Sequence, residues 1–247
     1  DGSKYDQSKE DLTKFSTTAD KYTKAGTNMM YVNREPRFYT SIIYNGADWI
    51  YQEDGKPKQT VELFFKGNCG KGGSHDYSAT GYLTCKNISP NSDLYNWTGA
   101  LRSLVMMRLG EIYLNYAEAL NEVALAGGTI DNKEVLNSLI QLRKRAGIEP
   151  GNENYYGLPA PQNYDAAEMR EIIRNERRIE MAFEEQRYWD IRRWRIAEDI
   201  FKEPLKGLNI QVVGNKTIYN EVNVLSAEFD TKRYFYPIPY SEVIKNG

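Results

Sequence analysis

The stretch Arg170–Trp194, REIIRNERRIEMAFEEQRYWDIRRW, decides the fold because its apolar and charged residues follow the period of an α-helix. In a helix that begins near Asp165, one face carries Met169, Ile172, Ile173, Glu176, Ile179 and Phe183. Five of these six residues are apolar, so the face is expected to be buried. A carboxylate buried without a partner is costly or takes up a proton, and we therefore expect an arginine beside Glu176.

The sequence predicts a charge network between packed helices around this carboxylate. Its predicted members are Glu176, Glu180, Arg177 and Arg187, and the nearest arginines in the chain are the expected partners. The alternative is an acid/base pair of Glu176 and Glu180, as in a glycoside hydrolase. Arginines lower the pKa of neighbouring carboxylates and so disfavour a general acid, which makes the structural interpretation the preferred one.

Two further helices are predicted before this stretch. The segment RLGEIYLNYAEALNEVALAGG (108–128) repeats apolar residues at helical spacing and ends in two glycines. Its inward face is predicted to be Leu109, Ile112, Tyr113, Tyr116, Leu120 and Val123. Asp131 and Glu134 form a capping-box pattern that opens the next helix, which runs to Ala146. The short connection favours an antiparallel αα-hairpin, the unit of helical repeats.

The rest of the chain predicts loops with a few short strands. Phe38–Tyr44 is aromatic and β-branched and is followed by Asn45-Gly46, so a strand and a turn are expected, and Pro36 is expected to exclude a helix. VELFF (61–65) is a second candidate strand. The glycine-rich GNCGKGG (67–73) is interpreted as a flexible surface loop, and residues 207–236 as loop with a short strand.

These patterns together predict a mainly α-helical fold with αα-hairpins, long irregular loops and a few short strands. We expect one domain, 1–247, with three parts. Residues 1–100 form a part rich in strand and loop that binds the ligand, 101–203 a helical part, and 204–247 an irregular C-terminal part.

The composition excludes several classes of function. The net charge of −2 provides no bulk attraction to nucleic acid or an anionic membrane. One histidine, His75, and two cysteines, Cys69 and Cys85, exclude a His-rich metal site and a CxxC zinc site, and a disulfide between the cysteines stays open. No GxGxxG or Walker A pattern and no catalytic constellation is present, so neither a cofactor nor a catalytic residue is expected.

Aromatic residues in the predicted loops are the best candidates for a binding site. The chain contains 19 Tyr and 4 Trp, and flat rings beside polar groups suit stacking on the apolar face of a sugar. The predicted ligand-binding residues are Asn45, Asp48, Trp49, Tyr51, Tyr77 and Trp97. For any single ring, packing within the fold is the competing interpretation.

Six segments together resemble the SusD/RagB family of bacterial surface nutrient-binding lipoproteins. In chain order they are NREPRFYTSIIYNG (33–46), GYLTCK (81–86), RLGEIYLNYAEALNE (108–122), LNSLIQLRKRAGI (136–148), REIIRNERRIEMAFEEQRYWDIRRW (170–194) and YFYPIPYSEVIKN (234–246). The fifth is the most specific, because few other families combine ERRIEMAFE with RYWDIRRW. The segments follow the order of the family and extend over most of the chain.

The resemblance implies a helical fold with tetratricopeptide-like helix pairs and irregular ligand-binding loops. It implies a non-enzymatic protein on the outer face of the outer membrane of a Bacteroidetes-type cell, which captures an oligosaccharide, or in some members a peptide, for a SusC-like TonB-dependent transporter. The lipid-bearing cysteine and most of the tetratricopeptide-like half of the family are absent here. A membrane anchor is therefore expected only on a preceding part of the protein.

Three alternatives to oligosaccharide capture stay open on the sequence. They are peptide capture by the same type of complex, a glycoside hydrolase that uses Glu176 and Glu180, and a protein that docks only the transporter. The sequence identifies neither the ligand nor a bound Ca²⁺ ion.

Overall fold

The computed structural model describes residues 11–51, 58–73, 75–93, 96, 98–100 and 105–245. The α-helices are α1 (Pro36–Ser41), α2 (Leu109–Leu125), α3 (Asn132–Arg145), α4 (Ala166–Glu180), α5 (Gln186–Arg193), α6 (Ala197–Phe201) and α7 (Tyr240–Lys245). The strands form two antiparallel pairs, β1 (Ile42–Ile43) with β2 (Leu83–Thr84) and β3 (Leu205–Val213) with β4 (Lys216–Leu225). The described chain is mainly helical, which confirms the predicted fold class.

Helices α2, α3 and α4 pack around one hydrophobic cluster, which we call the helical core. Its buried residues are Leu114, Ala117, Val135, Leu136, Leu139, Leu142, Leu158, Met169, Ile173 and Met181. The predicted helix starts are confirmed, because Asp131 accepts a hydrogen bond from the Lys133 amide (2.9 Å) and Asp165 accepts one from the Glu168 amide (2.8 Å). Each aspartate satisfies an amide that the first helical turn leaves without an intrahelical partner.

The predicted inward face of α2 is wrong at four of its six positions, and of the six only Tyr113 and Leu120 pack against the helical core. Leu109, Ile112, Tyr116 and Val123 are exposed, whereas Gly110, Leu114, Ala117 and Asn121 are buried. The buried set recurs at helical spacing as well, and its small side chains allow α3 and α4 to approach α2 closely. Asn121 is satisfied in this core, since it donates to the Ala166 carbonyl (3.0 Å) and accepts from the Tyr164 hydroxyl (2.5 Å).

A second cluster, the loop core, gathers residues from the N-terminal loops and the C-terminal hairpin. Its buried residues are Met30, Tyr31, Ile43, Tyr44, Val61, Leu63, Cys85, Leu208, Ile210 and Tyr219. Stacking of Tyr31 on Tyr44, with ring centroids 4.4 Å apart, and edge contacts from Tyr82 and Tyr219 hold it together.

The strand predicted over Phe38–Tyr44 is wrong in its first half. Pro36 occupies the first turn of α1, where its missing N–H costs nothing and its fixed φ suits a helix. The strand begins only at Ile42. The candidate strand at 61–65 is also wrong: around Val61 the structure has an isolated bridge and turns, with the Val61 amide donating to the Ala47 carbonyl (2.8 Å).

Two regions are more regular than the sequence predicts. In the glycine loop 67–73, a Cβ added at Gly70 would lie 1.8 Å from the Phe64 carbonyl oxygen, so this glycine is required by close packing of backbone on backbone. At the C-terminal side, β3 and β4 form a long hairpin where loop with a short strand was predicted. Gly214, with φ of +59°, supplies its turn.

The helical stretch 170–194 is interrupted just before Gln186. Helix α4 ends at Glu180, and Phe183 and Glu185 adopt left-handed backbone with φ of 63° and 62° before α5 begins.

Both cysteines are free thiols, and burial raises the pKa of each. In the described part of the chain, no helix is long and apolar enough to cross a membrane.

Candidate functional site

The candidate binding site is a groove of about 670 Å³ on the loop-rich side of the molecule, which we call the tyrosine groove. It is lined by residues 19–25, by most of the segment 39–50, and by Lys58, Cys85, Ile88 and Pro90. Helix α1 and strand β1 supply its floor, and the segment 46–49 is held in place by backbone bonds to 59–61. Its size lies within the range typical of small-ligand sites.

A pair of stacked tyrosines forms the apolar surface of the groove. The rings of Tyr22 and Tyr39 lie 4.5 Å apart at 11°. Tyr39 is fixed from both sides, because its hydroxyl donates to the Tyr31 carbonyl (2.7 Å) and accepts from the Arg34 amide (3.0 Å). Tyr22 is 38% exposed and is supported by Tyr39, and the Lys21 ammonium lies over its ring, 4.9 Å from the centroid. A ligand that stacks on this ring has to displace that exposed ammonium.

Charged groups lie beside this pair. The Asp20 carboxylate accepts from the amides of Tyr22 (2.7 Å) and Thr23 (2.6 Å), and these bonds outweigh slight burial and lower the pKa of Asp20. Asp48 forms an ion pair with Lys24 across the groove. Burial raises the pKa of Tyr44 to about 12, so its hydroxyl stays protonated. The groove thus presents ionised carboxylates, ammonium groups and neutral hydroxyls.

Of the predicted ligand-binding residues that the structure describes, only Asp48 lines the groove. Trp49 packs partly against the loop core, and Tyr51 is half-buried outside the lining of the groove. Asn45 uses its amide within the fold, accepting from the Leu63 amide (2.8 Å) and donating to the Tyr219 hydroxyl (3.1 Å).

Of the remaining two predicted residues, the structure describes only Tyr77. Tyr77 is 41% exposed in the loop that follows the glycine segment, with the Lys71 ammonium 5.5 Å from its ring centroid, and does not line the groove. Trp97 lies outside the described residues.

Sequence reasoning missed the contribution of residues 19–25. Residues 1–30 show weak periodicity and no hydrophobic face, so they gave no reason to expect a binding surface. The available signal was the aspartate of D-K-Y-T-K (20–24). An aspartate that accepts from the amides two and three residues on fixes a turn and so orients Tyr22.

The predicted charge network lies apart from the groove, at the helical core. Glu176, only 1% exposed, accepts from Arg37 Nη1 (2.7 Å) and Arg143 Nε (2.8 Å). Glu180, also buried, accepts from Arg37 (2.9 Å), Arg108 (2.5 Å) and Arg145 (2.6 Å). The burial of Glu176 and its pairing with arginine agree with the prediction, but the expected partners were wrong, since the donors come from distant segments.

The arginines of α4 and α5 that were predicted to belong to the network do not donate to Glu176 or Glu180. Arg177 is buried and donates to Asp190 (2.7 Å) and Asn115 (2.7 Å) rather than to the glutamates. Arg187 is half-buried, and within the described ranges no hydrogen bond joins it to a carboxylate. Burial and the nearby Arg178 lower the pKa of Arg187, and Asp190 only partly offsets them. The placement of Arg187 in the network is therefore wrong.

The chemistry of this network argues against the acid/base interpretation. Burial alone would raise the pKa of Glu180, but hydrogen bonds from Arg108 and Arg37 outweigh it and lower the pKa to about 2. A carboxylate that stays ionised at neutral pH and is occupied by three arginines cannot donate a proton to a leaving group.

This pKa predicts a loss of stability in acid. The pKa of Glu180 is about 2 in the folded chain against an ordinary value of 4.5, so its stabilisation is complete above about pH 4.5 and disappears as the pH falls toward 2. Arg145, one partner, is 60% exposed, so solvent screening reduces the effect to about 1 to 2 kcal/mol.

The measurement is urea unfolding of the wild type and Glu180→Gln between about pH 6 and pH 2.5. We expect the difference in free energy of unfolding between the two proteins to shrink by that amount across the window. A difference that does not change with pH would contradict the assignment of the low pKa to Glu180.

Comparison with known proteins gives consistent results. A sequence profile described as the SusD family matches residues 1–247. SusD-like protein P2 of Formosa agariphila is 32% identical over 144 residues, which are 58% of this chain and 24% of that protein.

Two solved structures from Bacteroides fragilis NCTC 9343 resemble the fold. A SusD-like protein superposes with a TM-score of 0.67 at 30% identity and covers 87% of this chain and 38% of its own. A SusD-like carbohydrate binding protein superposes with a TM-score of 0.58 at 26% identity, covering 89% of this chain and 44% of its own. The chain thus spans less than half the length of each of these relatives.

Proposed function

The chain belongs to the SusD family, whose profile it matches from end to end, and we propose that it binds an oligosaccharide in the tyrosine groove without chemical change. In this proposal the whole protein stands on the outer face of the outer membrane and delivers the sugar to a SusC-like TonB-dependent transporter. In the same proposal a lipid attaches the protein to the membrane.

One observation carries the proposal: the supported ring of Tyr22 lies beside Asp20, Lys24 and Asp48 in a single groove. A pyranose has an apolar face that stacks on such a ring and hydroxyls that bond to flanking charged groups. The solved relative described as a carbohydrate binding protein supports the same ligand class.

Non-enzymatic binding fits the groove better than hydrolysis. Its carboxylates are engaged, Asp20 by two amides and Asp48 by Lys24, and neither is arranged as a proton donor. The glutamates proposed for hydrolysis are buried among arginines at the helical core. The groups of the groove therefore support only binding and release of the sugar.

Tyr22→Ala tests the proposal. Removing the exposed ring should weaken binding of the oligosaccharide about tenfold, because stacking contributes roughly 0.5–1.5 kcal/mol beyond area burial. The measurement is isothermal titration of the wild type and the variant against a panel of glycans and peptides.

Tyr116→Ala is the matched control, since Tyr116 is an exposed tyrosine on α2 away from the groove. Equal affinity of the wild type and Tyr22→Ala for every bound glycan would refute the groove as the site. Binding of peptides without any glycan would favour peptide capture. The same panel with Trp49→Ala and Trp97→Ala tests two of the four aromatic contacts predicted from the sequence.

A further inference from the structure

A second cavity, of about 570 Å³, lies between α5 and the C-terminal segment 232–237. We call it the arginine pocket. Its charged lining residues are all cationic: Arg192, Lys232 and Arg233. The rest of the lining is Tyr188, Phe235, Tyr236 and Pro237, so the pocket combines positive charge with aromatic surface. It shares no lining residue with the tyrosine groove.

The guanidinium of Arg192 is held at the wall of this pocket. It lies 3.5 Å from the ring centroid of Tyr188 and 5.1 Å from that of Phe229, and its Nη1 donates to the Tyr188 carbonyl (2.8 Å). Its Nε–H is buried and has no hydrogen-bond partner in the described part of the chain. Because this Nε–H is closed off, the guanidinium acts on the pocket through its charge, and in the described part of the chain that charge forms no ion pair with a carboxylate.

The other two cations lie on the open side of the pocket. Lys232 pairs with Asp230 at 3.1 Å, but both side chains are exposed, so the pair is weak and can exchange. Arg233 donates through Nη1 to the Glu228 carbonyl (3.0 Å), and a backbone carbonyl leaves its charge uncompensated. With Arg192, Lys232 and Arg233 positive and Asp230 negative, the pocket therefore carries a net positive charge.

The aromatic part is preorganised. The hydroxyl of Tyr236 donates to that of Tyr188 (2.9 Å), and the Tyr236 ring also lies 5.8 Å from Trp189. Tyr236 is 62% exposed in spite of these contacts. An exposed ring that its neighbours hold in place can stack on a ligand at little entropic cost.

We propose that the arginine pocket binds an acidic saccharide, a sugar that carries a carboxylate or a sulfate ester, at a site separate from the tyrosine groove. Guanidinium and ammonium groups recognise the anionic substituent, and the rings of Tyr236 and Phe235 contact the apolar face of the sugar. This site goes beyond the proposed function and does not depend on binding in the groove.

The test compares trigalacturonate and a sulfated galactose trisaccharide with neutral maltotriose by isothermal titration at low ionic strength. We expect the pocket to bind both acidic trisaccharides, and the double variant Lys232→Gln/Arg233→Gln to weaken that binding about tenfold. Both replaced side chains are exposed, so folding should be retained. Added salt should weaken the interaction in the wild type.

The matched control is Lys133→Gln/Lys144→Gln, which removes the same charge from exposed positions of α3 and should leave the affinity within about twofold. Full affinity in the pocket variant or no binding of either acidic trisaccharide would overturn the proposal. Inorganic sulfate that binds as tightly as the sulfated trisaccharide would show a simple anion site and overturn the assignment to a saccharide.

Discussion

Glu176→Gln should lower the free energy of unfolding by about 3 to 5 kcal/mol. The substitution preserves the shape of the side chain but removes its charge, and Arg37 and Arg143 then lose the carboxylate that each contacts at 2.7–2.8 Å. All three side chains are buried, so water cannot replace the lost interaction. Breaking one member of a buried ion network leaves uncompensated charge, which is the costly case. Urea unfolding of the two proteins near neutral pH measures the difference.

Glu171→Gln on the same helix is the matched control. Glu171 is 71% exposed and pairs with Arg174 one turn away, so its replacement should cost less than about 0.5 kcal/mol. Glycan affinity should be unchanged in both variants, because the network does not line the tyrosine groove. If Glu176→Gln unfolds like the control, the network contributes no net stability to the fold.

The helices of the helical core follow from the sequence because their signals are local. Asp165 caps the amide three residues on, and Met169 and Ile173 recur one turn apart on the buried face of α4. The start of α1 was misjudged because Pro36 excludes a helix only in its interior and favours the first turn. Proline therefore disfavours a helix at an interior position and favours one at the first turn.

The packing of the helices could not be predicted from the pattern alone. Helix α2 carries two stripes at helical spacing, one with Leu109 and Ile112 and one with Leu114 and Ala117. Contact with α3 and α4 selects the second, smaller stripe, and this choice depends on shapes that a single helix does not contain. Hydrophobicity by itself favours the larger side chains and therefore the wrong face.

The partners of Glu176 show the same limit for charge. The sequence indicates that this carboxylate needs an arginine, but the donors Arg37 and Arg143 lie 139 and 33 residues away. The groove shows the same limit of sequence-based prediction. Asp48 lies in an aromatic loop that the sequence identifies as a candidate binding site, whereas Tyr22 becomes a binding surface only by stacking on Tyr39. Local chemistry identifies which groups need a neighbour, and the tertiary fold decides which neighbour it is.

Arg37 has a larger role than any other arginine of the network, because it joins the two cores. It lies on α1 beside Phe38 and Tyr39, which pack on the loop core. Its guanidinium donates to Glu176 and Glu180 on α4 and, at 2.9 Å through both Nε and Nη2, to Glu35. Burial opposes its charge, but the carboxylates outweigh burial and raise the pKa of Arg37. This side chain therefore couples the loop core to the helical core.

Arg37→Met should cost about 3 to 5 kcal/mol, since it leaves buried carboxylates without their shared donor, and should also separate the unfolding of the two cores. Arg37→Lys should recover only part of this loss, because one ammonium group cannot reproduce the planar fork that serves three carboxylates. Near-UV circular dichroism is most sensitive to immobilised rings, and the buried tyrosines Tyr31, Tyr44 and Tyr219 all belong to the loop core. Far-UV circular dichroism reports the helices. In the wild type the two unfolding curves should coincide, and in Arg37→Met the near-UV curve should fall at lower urea concentration.

Arg170→Met is the control for this prediction, because Arg170 pairs with Glu122 at a partly exposed position, where loss of the pair should cost no more than about 1 kcal/mol. Coincident curves in Arg37→Met, together with a loss as small as in the control, would show that the cores are coupled through other contacts. Lys86 is the next candidate, since its ammonium donates to the carbonyls of Glu180 and Ala182 at 2.8 Å and also spans the two cores. Lys86 also pairs with Glu184 (2.5 Å), but that carboxylate is 16% exposed, whereas Glu176 and Glu180 beside Arg37 are 1% exposed. Removal of Arg37 should therefore have the larger effect.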